Sequence, residues 1–116
     1  MIDGVLCRAQ DGRPLFAARR TDRWWERLRG LLGTLEPPAH GLYITPCGSV
    51  HTMGMRYSID LVFLAKDGRV LRVAEAVPPW RVVGARGAHA VAEFAAGTVR
   101  AACVVAGERL TWRAGA

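Results

Sequence analysis

Cys47-Gly-Ser-Val-His51 sets a thiol and an imidazole close together in the chain. Such a pair can supply two ligands to a metal ion, or a nucleophile and its base. Each reading needs more than the pair provides. A zinc site wants three or four ligands, and the others would have to come from His40, His89, Cys7, Cys103 or Asp60, which no recognised spacing unites. A thiolate catalyst wants a third group to orient His51 and an oxyanion pocket, neither of which spacing can show. The expectation is therefore no metal and no cofactor, with a Cys/His-dependent enzyme or metal-binding protein kept as the alternative.

Two short segments next to this pair could make a binding surface. Met53-Gly54-Met55-Arg56 and Pro78-Pro79-Trp80-Arg81 each combine unusual backbone with apolar side chains and an arginine. Methionine and tryptophan suit an apolar ligand, and a guanidinium can fork onto a carboxylate or phosphate. The plainer account is that Met53, Met55 and Trp80 close one end of the core. Asp60 is the ionisable residue that most needs explaining, because strand alternation puts it on the side of Val62 and Leu64, where an unpaired carboxylate is costly. Its partners could be Arg56, Arg81 or backbone N–H groups of a neighbouring loop. Tying a loop to the entrance of the strand is the first expectation for it, ahead of acid or base work. The chain has no glycine-rich phosphate loop, G-x-S-x-G elbow, H-E-x-x-H helix or paired carboxylates.

The elements that must position these residues read mainly as strands. Asp11-Gly12 supplies the positive φ angles of a tight turn and makes residues 3 to 18 a hairpin. Thr21 or Asp22 can cap an amphipathic helix running near residues 22–32, with Trp24, Trp25, Leu28, Leu31 and Leu32 gathered on one side. The prolines of Glu36-Pro37-Pro38 break that helix from a short strand, Gly41 to Thr45, closed by Pro46. Residues 58 to 65 make the strongest strand. Its apolar residues fall on both faces, as expected of a central strand, and Lys66-Asp67-Gly68 turns it into a return strand from Arg69 to Ala76. Val82-Val83, Ala88 to Phe94 and Arg109 to Trp112 are further strands, and Gly97-Thr98 starts a helical turn through Ala102. The fold class expected is mainly β (α+β), a small, partly open β-barrel or sandwich of hairpins with one helix, in a single domain over residues 1–116.

Composition bounds the rest. A chain of 116 residues that is 51% hydrophobic and 22% charged can bury one core unaided, which excludes a disordered class. No apolar run approaches the roughly 18 residues needed to span a bilayer, and the first residues lack a signal-peptide pattern. The location expected is cytoplasmic, without membrane insertion. Three widely spaced cysteines, odd in number, indicate reduced thiols. A net charge of +6 raises nucleic acid as a partner. Yet every basic residue but Lys66 is arginine, and they are scattered apart from Arg19, Arg20, Arg23, Arg27 and Arg29, which makes nucleic acid the weaker alternative.

Arg29-Gly-Leu-Leu-Gly33, the block from Pro46 to Leu64, Asp67-Gly-Arg-Val70, Pro79-Trp-Arg81 and Ala96-Gly97 together resemble the DUF192 family of small bacterial and archaeal domains. The residue before Ile59-Asp60 is often proline in that family and is Ser58 here. The resemblance implies a compact, barrel-like β fold with an accessory helix, and it carries no reaction, cofactor or catalytic residue with it. The function expected is a non-enzymatic ligand- or partner-binding domain, its partner an unidentified small molecule or protein. Its surface would comprise Cys47, His51, Met53, Met55, Arg56, Asp60, Trp80 and Arg81.

Overall fold

The computed structural model describes residues 2–21 and 41–115, and the helix expected near 22–32, with Arg23, Arg27, Arg29 and His40, lies outside them. Among the described residues nine strands and one short helix follow in order: β1 (Ile2–Arg8), β2 (Pro14–Thr21), β3 (Gly41–Ile44), β4 (Ser49–His51), β5 (Ile59–Leu64), β6 (Val70–Val77), β7 (Val82–Gly84), β8 (Ala90–Ala95), α1 (Thr98–Ala102) and β9 (Leu110–Ala114). Among the described residues no helix is long and apolar enough to cross a membrane.

Seven strands form one sheet in the order β6-β5-β8-β3-β2-β1-β9, and β4 with β7 forms a separate two-stranded ribbon. All neighbours in the large sheet are antiparallel except β2 and β3. The sheet curls until the starts of its two outer strands meet. Val70 N–H donates to the Glu108 carbonyl over 2.7 Å, Gly107 N–H to the Val70 carbonyl over 2.8 Å, and Leu110 N–H to the Gly68 carbonyl over 2.9 Å. This seam joins β6 to β9 at one end only, so the sheet is a half-closed barrel, as the pattern of hairpins suggested.

The two Asp-Gly turns share one chemistry. Asp11 accepts from the Arg13 N–H and Asp67 from the Arg69 N–H, each over 3.0 Å, while Gly12 and Gly68 take φ of 71° and 89°. At Gly68 the demand is double, because a Cβ there would run into the Leu110 carbonyl of the seam. Asp67 also accepts from the Arg109 guanidinium over 2.9 Å. The Arg69 N–H and the Arg109 side chain together hold the Asp67 carboxyl below its ordinary value. A carboxyl lowered in the folded state stabilises fully above its unfolded value and loses that contribution as pH falls through the lowered one. The protection factors of the Arg69 and Leu110 amides, taken relative to an intrinsic exchange that itself slows in acid, are therefore expected to fall on acidification below about pH 4, and Asp67→Asn to remove that pH dependence.

The core lies on both faces of the sheet, which is why β5 is buried along its whole length. On the concave face Leu6, Phe16, Val62, Leu64, Val70, Ala92, Phe94 and Leu110 pack together, with α1 contributing Val99. Phe16 and Phe94 stack there with centroids 4.3 Å apart. On the other face Leu42, Ile44, Ile59, Leu61, Phe63, Val77 and Val91 pack under the ribbon, which supplies Val50 and Val83. The ribbon was not anticipated from the sequence. Residues 47–56 read as irregular, but Ser49–His51 pairs antiparallel with Val82–Gly84. Its alternation of exposed Ser49, buried Val50 and exposed His51 is only three residues long, too short to separate from a loop without its partner. The cysteines differ in setting, with Cys7 buried, Cys47 half-buried and Cys103 exposed.

Candidate functional site

Asp60, the second residue of β5, is 0% exposed. Of the partners considered for it, the structure supplies backbone. Oδ1 accepts from Ala76 N–H over 2.8 Å, and Oδ2 from Gly97 N–H and Val99 N–H over 2.9 and 3.1 Å. Local geometry explains how three donors converge. The β5–β6 register jumps between Ile59↔Val77 and Leu61↔Ala74, leaving an extra residue in β6, and Ala76 within that bulge takes φ of 50°. Gly97 is the N-cap of α1, at φ of 94°, and has no side chain with which to cap. Asp60 fills that role from another element, meeting orphan donors of the helix's first turn. One carboxylate thereby joins β5, β6 and α1.

A second buried polar residue, Thr52, organises the two loops that sequence motifs singled out. Its N–H donates to the Arg81 carbonyl over 2.8 Å, and its carbonyl accepts from Trp80 N–H over 3.1 Å and Met55 N–H over 3.2 Å. Its hydroxyl donates to the Pro78 carbonyl and accepts from Arg81 N–H, both over 2.8 Å. Trp80 and Arg81 thus both oppose Thr52, a bulge that extends the β4–β7 ribbon. Trp80, with φ of 67°, occupies the left-handed position where such bulges usually carry glycine. Trp80 is 66% exposed, Val82 67% and Met53 42%. The pocket-lining expectation therefore divides: Met53 and Trp80 present apolar surface at the ribbon, whereas Met55 is buried with Leu42, Ile44 and Ile59 and closes the core.

His51 is exposed and stands across the ribbon from Val82. The Cys47 thiol donates to the Ser49 carbonyl over 3.1 Å, its N–H donates to the His89 carbonyl, and its side chain packs against the core beneath the ribbon. Among the described residues no three His, Cys, Asp or Glu side chains stand close enough together to hold a metal ion. Arg56, Arg81 and Arg86 are exposed around the ribbon, and residues 47–58 and 77–90 contain no Asp or Glu. A surface hollow of about 320 Å³ lies elsewhere, over residues 3–5 and 17–19 beside Gly115.

Sequence reasoning passed over Thr52 and Glu93. Nothing in Thr52's type or spacing distinguishes it. Glu93, 3% exposed, lies between Leu42 of β3 and Leu61 of β5. Its signal was a carboxylate at the same alternation parity as Val91 in an otherwise apolar strand.

A half-closed β-barrel with a two-stranded ribbon laid over its outer core defines a class of small β domain. The chain belongs to the DUF192 family, described as uncharacterized ACR, whose model matches residues 6–112. Two solved structures share the fold. One is a protein of unknown function from Novosphingobium aromaticivorans, 20% identical with a TM-score of 0.76, covering 95% of this chain and 84% of that one. The other is a "putative transcription regulator" from Sinorhizobium meliloti, 23% identical with a TM-score of 0.76, covering 96% of this chain and 92% of that one. No curated protein matches the chain.

Proposed function

We propose that the domain is a non-enzymatic binding module whose contact face is the β4–β7 ribbon and its extension, from His51 to Arg56 and from Pro79 to Val82. The observation that carries this reading is Trp80. A large apolar side chain 66% exposed gains little from burial, and its left-handed backbone costs about 1–2 kcal/mol in an L-residue. Folding alone does not favour tryptophan there, and the Thr52 clamp holds it in place at that cost. Strain kept at an exposed position fits a surface organised for contact.

Trp80→Gly separates the two roles. Relief of the left-handed strain offsets the lost contacts and the extra chain entropy of glycine, about 0.5–1 kcal/mol, so the melting temperature should stay within a few degrees of wild type. Amide chemical shifts followed through a library of small molecules and short peptides should move together in residues 51–56 and 79–82, and the same ligands should leave Trp80→Gly unperturbed. Shifts confined to another surface, such as the hollow over β1 and β2, would reject this face.

A further inference from the structure

From this binding-face reading, on which the next step rests, we infer that the ribbon docks an extended acidic peptide segment of a protein partner along the outer edge of β7. The hydrogen-bond phase of the ribbon comes first. Thr52 N–H to the Arg81 carbonyl and Ala85 N–H to the Gly48 carbonyl fix 52/81 and 48/85 as hydrogen-bonded positions. The register His51↔Val82 then places Val82 at a non-hydrogen-bonded position, its N–H and C=O directed away from β4. Two residues on, the Gly84 carbonyl on that same edge is already met by the Arg72 guanidinium over 2.8 Å. Among the described residues the edge is thus blocked at Gly84 and open at Val82, beside exposed Trp80. An added strand gains main-chain hydrogen bonds from such an edge and specificity from side chains to either side of it.

Charge selects the occupant. Arg56, Arg81 and Arg86 are exposed in the segments that build and flank the ribbon, and residues 47–58 and 77–90 contain no carboxylate, so these segments are cationic with no carboxylate of their own. Among the described residues the exposed carboxylates, Asp3, Asp11, Asp67 and Glu75, all lie outside these segments. A second copy of the chain would bring arginine against arginine, with a net charge of +6 on each side. A segment alternating acidic and apolar residues matches both features at once: its carboxylates meet the guanidinium groups, and its apolar residues cover Met53, Trp80 and Val82. Single-stranded nucleic acid shares the charge and could stack on Trp80, but it makes no use of an open strand edge.

The test uses the full chain and a fluorescein-labelled dodecapeptide alternating glutamate with leucine and phenylalanine, read by anisotropy. Binding is expected to weaken at least about tenfold in Trp80→Gly and in Arg81→Glu, and to weaken severalfold between low and high salt as exposed charges are screened. A peptide of the same sequence with alternate main-chain amides N-methylated isolates strand addition without altering the protein, and it should not bind. Equal binding of the N-methylated peptide would overturn strand addition. Binding of a single-stranded oligonucleotide but not the peptide, lost in Trp80→Gly, would overturn the peptide inference and leave the binding face standing. Failure of both probes overturns the acidic-peptide inference, whereas the binding-face reading fails only if the library shifts miss residues 51–56 and 79–82.

Discussion

Asp60→Ala should cost the domain about 3–6 kcal/mol, a large share of its stability. The figure follows from three backbone donors, at Ala76, Gly97 and Val99, that lose their acceptor together. A buried N–H left unmet costs about 1–3 kcal/mol; that of Val99 is buried, while those of Ala76 and Gly97 are partly so and water recovers part of their share. Set against a total stability of about 5–15 kcal/mol, the loss should lower the melting temperature by at least about 10 °C. Asp60→Asn should fall between the two proteins. Its single carbonyl oxygen can keep the pair of donors at Gly97 and Val99, while its NH₂ faces the Ala76 N–H, donor against donor. Urea denaturation of the three proteins checks this order. Native-state amide exchange should show protection lost first at α1 and around Ala76, because the carboxylate is what joins them to β5. A melting temperature for Asp60→Ala within two or three degrees of wild type would contradict the account.

Asp60 also shows how far the sequence could be read. A charge at the parity of Val62 and Leu64 announces that a partner is needed, because alternation in a strand is a strong rule. Which partner is a matter of tertiary structure: the donors lie 16 to 39 residues away, and one is exposed by a bulge at an alanine that no composition rule marks. The hairpins were legible for the opposite reason. Asp-Gly turns and the apolar run of β5 are local signals, and burial of both sheet faces reinforces them. The seam between β6 and β9 follows from curvature accumulated over seven strands and leaves no local trace.

The ribbon marks the limit more sharply. Strands of three residues exist only because each finds the other across 30 residues of chain, so β4 reads as a loop and Val82-Val83 as a fragment. The motifs nevertheless fall together in space, since Met53, Trp80 and Arg81 all sit on the ribbon's extension. Motif density did not distinguish Met55, which turns inward, from Met53, which does not. That difference is set by the Thr52 carbonyl, which accepts from Met55 N–H and folds the chain back over the core.

Thr52→Val should therefore change the candidate surface without touching it. Thr52 is 0% exposed, and valine keeps the shape while removing the hydroxyl. The Arg81 N–H and the Pro78 carbonyl then lose partners at 2.8 Å, for an expected cost of about 2 kcal/mol given their partial burial. Thr52→Ser keeps both bonds and gives up one methyl, about 1 kcal/mol, so the two variants separate hydrogen bonding from packing. Exchange at the Trp80 and Arg81 amides should accelerate in Thr52→Val well before β5 loses protection, whereas Thr52→Ser should retain the wild-type order. Without the hydroxyl, the left-handed conformation of Trp80 loses part of what holds it, and the loop should relax toward ordinary φ values. Whatever the ribbon binds should then bind more weakly to Thr52→Val than to Thr52→Ser, although position 52 contacts no ligand. Equal affinity for the two variants would mean that the Thr52 hydroxyl does not organise this surface.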